Sequence, residues 1–183
     1  KLTCKGDSLI LTATDMEIAI EKTIIAETYQ EGELIVPGRL FADFVKKLEN
    51  EEDIELFTSD DNRLKITYSA SAGYIQALPS EGYPIIKKDI AQNSFVINQK
   101  SFKDVIQKTS FACSQDDSRP ILKGCLLEIV DDVLTCVALD GFRLAVCKKP
   151  VRNASGNFKA IVPSRALQEI TRLLEKDEDV VTV

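Results

Sequence analysis

Apolar residues recur at helical spacing in three segments of the chain. Leu40, Phe41, Phe44, Val45 and Leu48 line one face of a helix predicted over 37–50, with Pro37 fixing its entrance. Phe102, Val105, Ile106 and Thr109 mark a second helix over 98–110, and Ala166, Leu167, Ile170, Leu173 and Leu174 a third over 163–176. Between them lie alternating or wholly apolar runs of strand length at 9–12, 18–24, 54–57, 64–68, 73–78, 95–97, 126–129, 133–138, 144–147 and 159–162. Few helices among many hairpin-linked strands predict an α+β fold, with antiparallel sheet and the helices on one face. A doubly wound sheet needs about one helix per strand.

The pattern repeats. DSLILTATDMEIAIEKTI matches DVLTCVALDGFRLAVCKKP as two short strands around an acidic turn, and IVPGRLFADFVKKLE matches IVPSRALQEITRLLE as strand, proline, arginine and amphipathic helix. Asp15 and Asp140 are 125 residues apart, and Pro37 and Pro163 are 126 apart, so two separate landmarks give nearly one offset. The helix over 98–110 precedes the second copy but has no counterpart before the first. The strand EDVVTV answers EEDIELF, after which the first copy runs on for about 30 residues that the second lacks. Residues 1–88 are therefore expected to be the later part of one module, its N-terminal part missing. Residues 89–183 are expected to be the earlier part of the next, its C-terminal part missing. The joint falls near the turn-rich stretch LPSEGYPIIKKD.

Composition narrows the function. Hydrophobic residues make up 44% and charged residues 28%, enough for a core and unlike a disordered chain. The longest apolar stretches, 125–129 and 135–139, fall far short of the roughly 20 residues of a membrane helix, and no apolar leader opens the chain, so a cytoplasmic location without membrane contact is expected. The five cysteines are odd in number and spread out, and histidine is absent. This argues against a disulfide framework and a zinc site, and favours cysteines acting as small buried hydrophobes. Absence of histidine removes the usual general base near neutral pH, and no cofactor is expected. The acidic pairs Asp116/Asp117 and Asp131/Asp132 lack companion ligands and read as solvated turns.

Net charge is −6, the wrong sign for a simple nucleic-acid glove, but it is unevenly placed. The three helical segments together hold +4 against −10 elsewhere, through Arg39, Lys46 and Lys47 in the first, Lys100, Lys103 and Lys108 in the second, and Arg165 and Arg172 with Lys176 in the third. Such helices can present one face to a polyanion while the remainder repels it; ordinary solvated helix faces are the alternative. No aromatic residues interleave with these cations, so base stacking and sequence-specific readout are not expected.

Six motifs carry a family resemblance: LTATDMEIAI, IVPGRLFADFVKKL, YIQALPSEGYP, RPILKGCLLEI, VALDGFRLAVCKKP and IVPSRALQEITRLL. In order and spacing the chain resembles the bacterial DNA polymerase III beta subunit family, the sliding clamps, over essentially its whole length. The resemblance implies a DNA clamp fold: a closed homodimeric ring of three similar domains per subunit, sheets outside, helices lining a hole around duplex DNA. This sequence would cover most of the first domain and much of the second. It also implies a non-catalytic processivity factor, whose partners are encircled duplex DNA and, through short peptides, the DNA polymerase III alpha subunit, the clamp loader and repair polymerases. The eight helical cations from Arg39 to Arg172 would face DNA, together with Arg119 in the loop CSQDDSRP, where Asp116 and Asp117 would weaken phosphate contact.

Carried over by residue, the middle-domain side of the peptide groove would be Leu122, Leu139, Gly141, Phe142, Arg143 and Leu144. From the residues alone, Gly141 after Asp140 makes a turn, Phe142 either packs or is exposed, and Arg143 offers five donors, so a plain hairpin remains open. Leu139 stands where the family commonly has threonine and Phe142 where it has histidine or tyrosine, which makes the groove more apolar. Two other readings stand beside the clamp. One is a peptide-docking module of the same fold that never encircles DNA; the other, an enzyme, lacks a base, nucleophile or metal cluster in a coherent setting. The chain by itself, without a third domain, is expected to bind peptide weakly and to retain DNA negligibly.

Overall fold

The computed structural model describes residues 1–48, 53–59, 61–79, 82–86, 93–175 and 178–183. The chain divides into two compact units, Lys1–Lys87 and Lys88–Val183. The joint expected at 88/89 falls among residues 87–92, outside the described residues, as do Glu49 and Lys176 of the helical charge pattern.

In the first unit, β1 (Leu2–Cys4), β2 (Ser8–Thr14), β3 (Ala19–Ile25) and β4 (Gly32–Leu34) form an antiparallel sheet in the order β3-β2-β1-β4. Helix α1 (Gly38–Val45) comes next. Then β5 (Ile54–Ser59), β6 (Arg63–Tyr68) and β7 (Ser71–Gln76) form a second antiparallel sheet in chain order. Strand alternation decides which side chains go inside: Leu64 and Ile66 of β6 are buried and join Leu2, Leu9, Val36 and Ile75 in the core. Phe41, Phe44 and Leu48 pack on that core, as their spacing predicts, whereas Leu40, read onto the same face, is exposed. Helix α1 is shorter than the 37–50 pattern. Lys47 and Leu48 donate to Phe44 and Val45, three residues back, so the helix tightens into a turn after Val45.

The second unit contains β8 (Val96–Asn98), α2 (Gln99–Thr109), β9 (Gly124–Val130), β10 (Val133–Leu139), β11 (Leu144–Pro150), β12 (Phe158–Pro163), α3 (Ser164–Leu173) and β13 (Val180–Thr182). The main sheet runs β11-β10-β9-β12, and β13 pairs with β8. Asn98 caps α2 by accepting from the Ser101 amide at 3.2 Å. Phe102, Val105 and Ile106 of α2, with Leu167 of α3, pack on the buried alternate positions Cys125, Leu127 and Ile129 of β9 and Leu134, Cys136 and Ala138 of β10. Both helices therefore cover one face of the sheet. Full burial of a side chain such as Phe102 stabilises by about 1.5–3 kcal/mol.

The repeat is visible in the topology, since β1, β2, β3 and β4 take the places of β9, β10, β11 and β12, and α1 that of α3. Pro37 and Pro163 precede their helices with φ of −58° and −52°. Asp131 and Asp132 form the two-residue turn of the β9–β10 hairpin with φ of 48° and 59°, the positive values a tight hairpin needs. Cys113, Cys125 and Cys136 are buried, Cys4 and Cys147 half-buried, and all five are unbridged.

Candidate functional site

The turn joining β10 to β11 is organised by Asp140. Its Oδ1 accepts from the backbone N–H of Phe142 at 2.9 Å and of Arg143 at 3.0 Å. These bonds, the Phe142 amide first, hold its carboxyl below the usual carboxylate range. Gly141 adopts φ +96°, a region that side-chain-bearing residues rarely occupy. The turn throws Phe142 into solvent at 97% exposure, settling the choice between packing and exposure. Arg143 folds back: its Nε donates to Asp140 Oδ2 at 2.9 Å, and its guanidinium lies 5.6 Å from the centre of the Phe111 ring.

Leu139 and Leu144 face each other directly across the hairpin, and Val146 lies two residues along on the same face as Leu144. All three are exposed, an apolar strip that a plain hairpin does not require. Leu122 sits half-buried on a 3-10 turn, Pro120–Lys123, with its carbonyl accepting from the Ser114 amide at 2.9 Å. Arg119 begins that turn and approaches the hairpin so closely that a Cβ added at Gly141 would lie 3.3 Å from its Nη1. The six residues of the expected groove therefore occupy one hairpin and one neighbouring turn. Asp140 and Phe111 are functional neighbours that the groove pattern alone does not name. The Asp-x-x-Arg spacing carries a local signal for Asp140, whereas Phe111 reaches Arg143 only through tertiary packing.

Four of the nine basic residues expected to face DNA pair with acids three or four residues away in the chain. Arg39 lies 3.8 Å from Asp43, Lys108 3.2 Å from Asp104, Arg119 3.3 Å from Asp116 and Arg172 2.6 Å from Glu169. The Lys108 ammonium is the main cause of a lowered Asp104 pKa. Lys123 pairs with Asp117 in the loop. Lys103 is half-buried and donates to the Leu174 carbonyl at 3.2 Å, so its ammonium closes the end of α3 as well as adding charge. Lys46, Lys47, Lys100 and Arg165 are exposed. Among the described residues no group of three or more His, Cys, Asp or Glu side chains can hold a metal ion.

A hydrogen bond shared with Cys136, and then burial, push the Cys125 thiol far up, and burial raises Cys113. Cys125 and Cys113 thus carry little thiolate, as expected of packing residues and not of nucleophiles.

Comparison with known proteins places this geometry. The family model for the N-terminal domain of the DNA polymerase III beta subunit matches residues 1–87, and that for its central domain matches residues 96–183. The chain is 34% identical over 189 residues to the beta sliding clamp of Staphylococcus epidermidis and 33% identical over 187 residues to that of Staphylococcus aureus. Each alignment takes in 98% of this chain, and the chain spans about half the length of the curated relatives it matches. A crystal structure of the DNA polymerase III subunit beta from Pseudomonas aeruginosa superposes with a TM-score of 0.92 at 31% identity, covering 99% of this chain and 50% of that one. The sliding clamp of Bacillus subtilis, at 24% identity and a TM-score of 0.91, shares the fold. The chain has the α+β clamp fold and belongs to the DNA polymerase III beta subunit family, the sliding clamps.

Proposed function

We propose that the protein carrying this chain is a DNA polymerase processivity factor, a homodimeric ring that encircles duplex DNA and tethers the polymerase to it. Residues 1–88 and 89–183 are read as parts of its first and second domains. The observation that carries this reading is the presence of both beta-subunit domain models, in family order, across nearly the whole chain. Tethering raises the polymerase's local concentration at the primer end and needs no bond-making group, so the protein is read as non-catalytic, and a cytoplasmic location is proposed with it. Paired helical cations suit the task. Arg39, Lys108 and Arg172, partly neutralised by Asp43, Asp104 and Glu169, give each helix a soft positive charge that attracts phosphates without fixing them, and ring closure supplies retention.

Leu122, Leu139, Gly141, Phe142, Arg143 and Leu144 are proposed to form one side of the groove that takes short peptides from the polymerase III alpha subunit, the clamp loader and repair polymerases. Arg39, Lys46, Lys47, Lys100, Lys103, Lys108, Arg119, Arg165 and Arg172 are proposed to face DNA. The test is primer extension on a singly primed circle, with clamp loader, ATP and the cognate polymerase in limiting amount. The complete protein is expected to lengthen the product made per binding event many-fold, and unchanged product lengths would refute the proposal. If polymerase-tail peptide still bound while product lengths stayed unchanged, the protein would be a peptide-docking module of the same fold.

A further inference from the structure

Arg143 is the one charged member of the proposed groove, and two contacts fix it before any peptide arrives. Asp140 takes Nε through Oδ2 at 2.9 Å, and the Phe111 ring lies against the guanidinium at 5.6 Å. The Asp140 side chain is only 18% exposed, whereas Arg143 remains 56% exposed, so the carboxylate is the anchored partner and the guanidinium the presented one. Asp140 is anchored by its other oxygen, which accepts from the Phe142 and Arg143 amides. The same carboxylate therefore shapes the turn with one oxygen and orients the arginine with the other. It engages Nε and not the two terminal NH2 groups, which are the donors suited to a carbonyl or carboxylate of a ligand.

We propose that Asp140 is a positioning residue for peptide docking: it holds the Arg143 guanidinium against the Phe111 ring at the end of the hairpin so that its terminal nitrogens meet main-chain carbonyls or a carboxylate of the bound peptide. The inference rests on the groove reading under Proposed function. Holding a long side chain in its binding pose removes the ordering cost that a free arginine would meet on docking. It also predicts ligand chemistry, namely an extended peptide whose apolar side chains lie on Leu139, Leu144 and Val146 and whose acceptor lies within reach of Arg143.

The experiment is a double-mutant cycle in the complete protein, with a synthetic polymerase-tail peptide as probe. Asp140→Asn keeps an oxygen to accept from the turn amides but sets an NH2 group against Arg143 Nε, so the turn persists and the clamp on the arginine is lost. Asp140→Asn is expected to weaken peptide binding roughly 3- to 30-fold in the wild-type background and to have almost no effect when Arg143→Ala is already present. Thermal stability should fall only slightly, and the Phe142 amide should remain protected from hydrogen exchange. An equal loss in both backgrounds would mean that Asp140 acts only through the turn and would overturn the inference. So would full affinity of Asp140→Asn alongside a weakened Arg143→Ala. Arg143→Ala binding as tightly as wild type overturns the groove reading itself and this inference with it.

Discussion

Asp15 accepts from the Glu17 and Ile18 amides at 3.1 and 2.9 Å, and Asp140 accepts from the Phe142 and Arg143 amides at 2.9 and 3.0 Å. The same side chain thus builds the same turn in both copies of the repeat, and the residue after it takes positive φ in each, Met16 at 78° and Gly141 at 96°. The copies differ three residues beyond the aspartate, where the first has Ile18 and the second has Arg143, which returns to Asp140. Gly141 is the more constrained position, because a methyl group there meets both an unfavourable backbone conformation and Arg119. Gly141→Ala is expected to cost about 1–3 kcal/mol in denaturant unfolding; a loss below the error of the measurement would show that the turn relaxes freely. The pH dependence comes from the lowered Asp140 pKa. A carboxylate whose folded pKa lies below its ordinary 3.8 contributes its stabilisation fully above that value and loses it as pH falls through the lower folded pKa. The positive groups facing it are Arg143 and, beside the turn, Arg119. The Asp140 carboxyl carbon signal should therefore be flat from pH 8 to about 5 and titrate below the unfolded-chain value; a midpoint at or above 3.8 would contradict the hydrogen-bonded geometry. At this scale the sequence shows the turn, through Asp-Gly, but not the Phe111–Arg143 contact, because 32 residues and a change of element separate the two.

Helix α2 shows how periodicity becomes packing. Phe102, Val105, Ile106 and Thr109 are legible as one face, and all four are buried, with Thr109 Oγ1 donating back to the Val105 carbonyl at 2.8 Å. Phe102 also meets Phe95 edge-on at a centroid distance of 6.2 Å. Phe102→Ala should lower stability by about 3–5 kcal/mol in calorimetry or denaturant unfolding, and a loss under about 1 kcal/mol would mean that the second-unit core is centred elsewhere. A different constraint binds the first unit. Gly73 of β7 lies beneath the Phe44 ring so closely that a Cβ would intrude on the ring. Gly73→Ala is expected to destabilise the unit, and Phe44→Leu to recover part of the loss in the double variant; additive losses would show that the two do not touch. Strand β1 is not legible in the sequence because its three residues lie at a turn without an apolar run, whereas β8 and β13, equally short, lie within the apolar runs at 95–97 and 180–183. The true end of α1 is hidden for another reason: apolar spacing continues to Leu48, while the last turn is set by backbone geometry.

At the scale of the molecule, two units with separate cores carry one repeat, and the family motifs run through both. Architecture is legible because sheet and helix patterning recurs at a fixed offset. The electrostatic character is only half legible. Segment charges reveal basic helices, and the three- and four-residue spacings of Arg39/Asp43, Lys108/Asp104 and Arg172/Glu169 reveal the pairs that soften them. The contacts of Lys103 with the Leu174 carbonyl and of Lys149 with Asp104 depend instead on tertiary packing. Retention is attributed to ring closure and not to phosphate affinity. The measurement that tests this most directly is retention of the labelled complete protein on nicked circular DNA after loading, before and after a single cut that linearises the circle. Stable retention on the circle that vanishes on linearisation is the predicted result; retention unchanged by the cut would mean direct affinity and would contradict it.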